Sequence, residues 1–317
     1  MNYNGIFKEQ IEAFILEKRS LGYKYIREEE IMEEFDKYTI KESVTSNILS
    51  KTLIINWIDT HNVKLITKKH YGDIMREFGK YLFKFDNVSY ILPNKYYPIK
   101  SDFKAYIYSN DELNRFFKSI KTSFMVDNIQ KQSLYYLIFQ LLYTTGMRVT
   151  EVLAIKINNI DFNNKSILLE DCKNGNQRII YLKESIFNLI VDYHNKYNMQ
   201  KNTDNYFFTI KNNKQLNRNL VYSNFRKILI LSDIVHNEFG PRVHDFRHTM
   251  VVYSFKNAVD NNYDLLTFLP ILSAYLGHKD IYATEKYLHL VSDMYPDIRN
   301  KIESYDNFKV KEFNNEY

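Results

Sequence analysis

Three stretches of the chain carry side chains suited to chemistry: arginines that grip an anion, histidines that move a proton or bind a metal, and a tyrosine that can attack. In LLYTTGMRVTEVLAIKINNID (residues 141–161) an apolar helical run stops at Gly146, Arg148 opens the next helix, and Glu151 follows three residues on. An arginine placed there can point into a cleft with its planar fork of donors held rigidly. In PRVHDFRHTMVVYSF (241–255), His244, Arg247 and His248 stand at i, i+3 and i+4 and share one helical face. In LSAYLGHKDIYATEKYLHL (272–290) a helix stops at Gly277, His278 follows, and Tyr287 lies nine residues later. The HxxxH spacing of His244 and His248 also suits a zinc site, but Asp245 replaces the Glu of the zinc-protease motif and Arg247 would repel a cation. No bound metal is expected.

These stretches must be positioned by helices. Phe7, Ile11, Phe14 and Ile15 repeat at helical spacing up to a stop near Gly22, and further helices are predicted over 27–38, around 53–58 and over 64–85. Residues 1–86 therefore form a small helical bundle. Residues 87–108 hold two of the five prolines without a helical period and read as a linker. From Ser109, whose spacing to Glu112 is that of a capping box, helices are predicted over 110–121, 127–145, 149–155, 184–197, 217–232, 245–257 and 263–275. Residues 166–169 and 178–182 flank DCKNGNQ as a hairpin turning at Gly175, with a third short strand near 206–209. The fold class is thus mainly α, an N-terminal bundle (1–86) plus an α-rich domain (109–290) with a small antiparallel sheet, and a tail over 291–317.

Composition sets wide limits. The chain has 317 residues, 45% hydrophobic and 26% charged, with 8 Gly and 5 Pro, which suits two α-rich domains better than a turn-dense β architecture. A net charge of +5 permits a polyanionic partner, with the positive charge organised in space, not in one basic block. Cys172 is the single cysteine, so no intramolecular disulfide can form, and a cytoplasmic location is expected. No segment approaches the ~20 apolar residues that span a bilayer, and no P-loop is evident.

In this order and spacing, TGMRVTE, CKNGNQR, HDFRHT and LGHKDIYATEKY resemble the motifs of the tyrosine recombinase (phage integrase) family. The resemblance is specific over about residues 109–300 and general over the N-terminal bundle, as a helical core-binding domain. It implies site-specific DNA recombination through a 3′-phosphotyrosyl intermediate, without metal, ATP or other cofactor. Arg148 and Arg247 would clamp the scissile phosphate, Lys173 would be the hairpin lysine that protonates the departing 5′ oxygen, and Tyr287 would be the nucleophile. His244 would accept or relay the tyrosine proton, His278 would bond the phosphate, and Glu151 would support Arg148. His248 reads as structural. The hairpin has Gln177 where many members carry a second lysine, so Lys165 and Lys183 are substitutes to consider for Lys173. The partner would be double-stranded DNA, gripped by Lys95, Lys100 and Lys104 of the linker and by Arg218, Asn219, Asn224, Arg226 and Lys227. The active form would be a tetrameric synapse, with the 291–317 tail exchanged between protomers. FILEKRSLGYKY and AYIYSNDELNRFF resemble mobile-element integrases and transposases more than chromosome resolvases. A type IB topoisomerase and a catalytically idle DNA-binding regulator are the alternatives.

Overall fold

The computed structural model describes residues 3–98, 105–170, 177–210, 213–237, 240–278 and 282–295, the side chains of 266, 289 and 292–294 excepted. The chain divides into two compact units, Met1–Asp102 and Phe103–Tyr317. The division falls inside the segment expected to link two domains.

The first unit holds helices α1 (Lys8–Ser20), α2 (Ile26–Lys41), α3 (Lys51–Asp59) and α4 (Leu65–Asp86). Their apolar stripes meet in an aromatic core of Phe7, Phe14, Phe35, Trp57 and Phe78, with Phe14 and Phe78 centroids 5.3 Å apart. Asp36 is buried there, and its carboxylate accepts the backbone N–H groups of Asn4 and Gly5 at 2.8 and 2.9 Å. Part of the expected linker packs onto this unit. Tyr90 N donates to Leu49 O at 2.7 Å, and Leu92 is buried in the same core.

The second unit holds α5 (Asn110–Thr122), α6 (Ile129–Thr145), α7 (Val149–Ala154), α8 (Glu184–Tyr197), α9 (Arg218–Leu231), α10 (Asp245–Asp260), α11 (Leu265–Leu276) and α12 (Tyr282–Met294). The capping box at Ser109 is formed, with Glu112 N donating to Ser109 Oγ and Ser109 N to Glu112. A three-stranded antiparallel sheet runs in the order β1 (Ile160–Asp161), β2 (Ser166–Leu169), β3 (Arg178–Tyr181). Ile167 pairs with Ile180, and both are buried. The sequence reading of the third strand is corrected here. Residues 206–209 make only isolated bridges, to Lys156 and Gln215, because Phe207 and Phe208 are spent on the core against Tyr193. Strand β1, just before β2, completes the sheet instead.

Helix α10 runs through the middle of this unit, packed against α6 and α12. Its Phe246 is fully buried, stacked on Tyr108 at 4.8 Å and edge-on to Phe116 at 5.2 Å, with Phe139 and Phe225 around it. The backbone entering α5 is pinned to the same helix, Tyr108 N donating to Thr249 Oγ1 at 3.0 Å. Phe246→Ala should therefore lower the unfolding free energy of the second unit by about 3–5 kcal/mol. Urea titration of the protein checks this, and a loss below about 1 kcal/mol would mean that the cluster collapses around the missing ring.

Candidate active site

Four breaks in regular structure bring the site together: the end of α6, the turn into α7, the start of α10 and the end of α11. Gly146 and Gly277 end α6 and α11 in left-handed conformations, φ 65° and 66°, which glycine adopts without a Cβ penalty. Each leaves carbonyls without helical partners, carrying the partial negative charge of a helix C-terminus. Arg247 lies between them. Its Nη1 donates to Gly146 O at 2.7 Å and its Nη2 to Leu276 O at 2.8 Å. Nη2 also lies 2.7 Å from His278 Nε2. An arginine can only donate, so that nitrogen accepts and the proton of His278 sits on Nδ1, 2.6 Å from Thr284 Oγ1. Arg247 is 2% exposed. Burial, then Arg148, brings its pKa down to about 10, which leaves it charged at neutral pH.

Arg148 precedes α7 in an extended conformation. Glu151, buried at the third position of that helix, reaches back to Arg148 N at 2.8 Å and to its Nη1 at 2.7 Å. The same carboxylate accepts both terminal nitrogens of Arg178, at 3.1 and 2.8 Å. Burial opposes the charge on Glu151, but the bonds from Arg178 and Arg148 outweigh it and hold the carboxyl below the usual range. One carboxylate thus orients two guanidiniums, and ties the start of α7 to β3. A Cβ on Gly277 would stand 2.7 Å from Arg178 Nη1, so Arg178 also abuts the turn that carries His278.

His244 caps α10 and His248 lies one turn on, their rings in edge contact at 4.8 Å. Burial, then Arg247 and Arg148, lowers the His244 pKa to about 4. Burial, then His244 and Arg247, lowers that of His248 to about 3. Tyr287 lies on α12, 8% exposed, and its hydroxyl is 2.6 Å from His248 Nδ1. Burial holds the phenol pKa above its ordinary value, with Arg247 opposing the rise, Asp245 adding to it and Arg148 opposing it. Asp245, wholly buried, accepts Arg242 N at 2.6 Å, and burial lifts its pKa to about 6.

Arg148, Glu151, His244, Arg247, His278 and Tyr287 therefore share one neighbourhood. Lys173, with Cys172, lies outside the described residues, as do Lys100, Lys104 and the tail beyond residue 295. Of the substitutes, Lys165 is engaged by Glu184 and lies over the Phe187 ring, and Lys183 is exposed before α8. Lys95, Arg218, Asn219, Arg226 and Lys227 are exposed. Asn224 is not available to DNA, which corrects the sequence reading. It is buried, and its Nδ2 donates to Tyr135 Oη at 2.6 Å and to Leu220 O. Arg178 and the contact of His248 with the phenol were not anticipated. A charged residue opening an otherwise apolar strand was the available signal for Arg178. His248 stands one helical turn after His244 in the sequence, and only the fold shows what it touches. Among the described residues no group of three His, Cys, Asp or Glu side chains could hold a metal.

Comparison with known proteins identifies the family. The family model described as the phage integrase family matches residues 108–293. The chain is 32% identical to tyrosine recombinase XerA of Saccharolobus solfataricus over 165 residues, 52% of this chain and 48% of that protein, so it spans about half of that relative. It is 22% identical to tyrosine recombinase XerC of Staphylococcus saprophyticus over 277 residues, 83% and 84% of the two chains. The XerH site-specific recombinase, in a post-cleavage complex with its palindromic difH substrate, superposes with a TM-score of 0.63 at 20% identity, over 86% of this chain and 77% of that one.

The buried histidines make stability depend on pH. Both imidazoles have folded pKa values, about 4 and about 3, below the ordinary 6.5, so each takes up a proton on unfolding between about pH 5 and 6. Asp245, near 6 when folded, releases one over the same window. The net uptake is about one proton, so these groups make stability rise with pH by about 1.4 kcal/mol per pH unit. His244→Gln removes one uptake and should bring the slope close to zero. Urea titrations across the window measure it, and an unchanged slope would show that His244 is already protonated in the folded protein.

Proposed function

This chain belongs to the phage integrase family of tyrosine recombinases, enzymes that cleave and rejoin DNA in site-specific recombination, and we propose that Tyr287 is its nucleophile, with Arg148 and Arg247 holding the scissile phosphate. The observation that carries the assignment is the buried Tyr287 hydroxyl held 2.6 Å from His248 on the helix that also carries Arg247, whose guanidinium is fixed at two helix ends. Among the described residues protein acceptors take three of the five donors of Arg247, and we assign the others to phosphate oxygens. Attack by the phenol gathers negative charge on the non-bridging oxygens, and preorganised guanidiniums meet that charge without reorganising. His244 and His278 flank the same phosphate as further hydrogen-bonding groups.

Lys173 is the proposed acid for the departing 5′ oxygen. The product is a 3′-phosphotyrosine with a free 5′ hydroxyl. Its phosphoester bond is retained, so the hydroxyl of another strand can reverse the attack without ATP. Double-stranded DNA is the proposed partner, bound by the 1–86 bundle and the 109–290 domain of protomers assembled as a tetramer, with the 291–317 tail exchanged between them. The setting is the cytoplasm, consistent with the absence of any helix among the described residues long and apolar enough to cross a membrane. The resemblance of FILEKRSLGYKY and AYIYSNDELNRFF to mobile-element recombinases supports mobile DNA as the element recombined.

Nicked suicide DNA from the flanks of the gene should trap a denaturation-resistant adduct with the wild-type chain, in EDTA, and none with Tyr287→Phe. Arg247→Ala should slow trapping by at least about a hundredfold. An adduct from Tyr287→Phe would assign the attack to another tyrosine.

A further inference from the structure

The phenol of Tyr287 is bonded to His248, not to His244. His248 Nδ1 and the hydroxyl are 2.6 Å apart, with ring centroids at 5.4 Å and planes tilted by 41°. Both side chains are almost wholly buried, so the pair is held by packing as well as by the bond. Nδ1 can receive the phenolic proton only if it carries none, which places the imidazole's own hydrogen on Nε2. On that side Asp245 Oδ1 lies 4.0 Å from Nε2. This carboxylate oxygen is buried, the other, Oδ2, accepts Arg242 N, and the backbone N–H of Tyr106 also acts on the carboxyl. A carboxylate facing Nε2 favours the Nε2–H tautomer and stabilises an imidazolium formed by proton transfer.

We propose that His248 is the catalytic base for strand cleavage, taking the Tyr287 proton on Nδ1, with Asp245 as the positioning residue behind it. The proposal rests on Tyr287 being the nucleophile. The O–H bond of Tyr287 breaks and its proton passes to His248. The phenolic oxygen bonds to phosphorus as the P–O5′ bond breaks, and the 5′ oxygen takes a proton from the acid, assigned above to Lys173. Religation returns the His248 proton to the phenol. The groups acting on His248 include His244, Asp245 and Arg247 at the start of its own helix, Arg242 before it and Tyr287 on α12. Burial first, then His244, Arg247 and Arg242, keeps the ring neutral. A bound phosphate offsets the charge of the arginines and so makes His248 a better base.

Cleavage of a suicide substrate by the full chain tests this, beside DNA affinity measured on the uncut site. Asn at position 248 offers an oxygen near the place of Nδ1 that can accept a hydrogen bond but not a proton. His248→Asn and His248→Gln should bind DNA within about twofold of wild type and cleave about a hundredfold more slowly at neutral pH. The deficit should shrink as pH rises toward the phenol's own ionisation. It should persist on a bridging 5′-phosphorothiolate, whose leaving group needs no proton. Cleavage within threefold of wild type by either variant overturns the proposal, as does a deficit abolished by the phosphorothiolate. Should both variants fail to fold, nitrogen-15 NMR of wild-type histidines decides it: an unprotonated Nδ1 at His248 supports the proposal and an Nδ1–H tautomer overturns it. Tyr287→Phe separates the two levels. An adduct from that variant removes the nucleophile assignment itself, whereas an inert Tyr287→Phe beside a fully active His248→Asn removes only the base.

Discussion

The guanidinium of Arg247 joins the ends of two helices. Gly146 O at the end of α6 and Leu276 O at the end of α11 both accept from it, and these are carbonyls that a helix cannot satisfy within itself. A buried cation is costly without partners. Here the partners are helix ends, whose partial charges favour a cation, and the nitrogen of His278. Without Arg247 the two ends would leave buried acceptors unmet, and His278 would lose the donor that sets its tautomer.

Charge in the rest of the site is arranged around that fixed cation. Glu151 supplies the one carboxylate shared by Arg148 and Arg178, so the arginines are oriented with much of their positive charge left uncompensated. Burial keeps both imidazoles neutral, helped by Arg247 and Arg148 at His244 and by His244, Arg247 and Arg242 at His248. Among the described residues the arginines of the site outnumber its carboxylates, an arrangement that would suit the proposed phosphodiester, whose charge grows during attack. Asp245 is set back beneath His248, where burial raises its pKa.

Rigidity comes from below. Helix α10 carries His244, Arg247 and His248 toward the site and Phe246 toward the ring cluster of Tyr108, Phe116, Phe139 and Phe225. Three polar side chains and one aromatic anchor thus share a single helical turn. Displacing the anchor would move all three, which is the reason a site built on a packed helix holds its geometry better than one built on a loop.

Much of this protein could be read in the order of its residues. Apolar periodicity located α1 to α11 to within a few residues but gave no bounds for α12, the Ser109–Glu112 spacing gave the start of α5, and Gly146 and Gly277 marked two helix ends, because these are local effects of propensity and capping. The motif order brought Arg148, Glu151, His244, Arg247, His278 and Tyr287 together as one set. Pairings between elements were not local. The sheet closed with 160–161 and not 206–209, because Phe207 and Phe208 were needed in the core. Asn224 turned inward to Tyr135, since a helical wheel does not tell which polar residue flanks the buried stripe closely enough to bond across it. The partner of Tyr287 was decided by the packing of α12 on α10. One helical turn separates His244 from His248, and their spacing from Tyr287 along the chain says nothing of which ring meets the phenol.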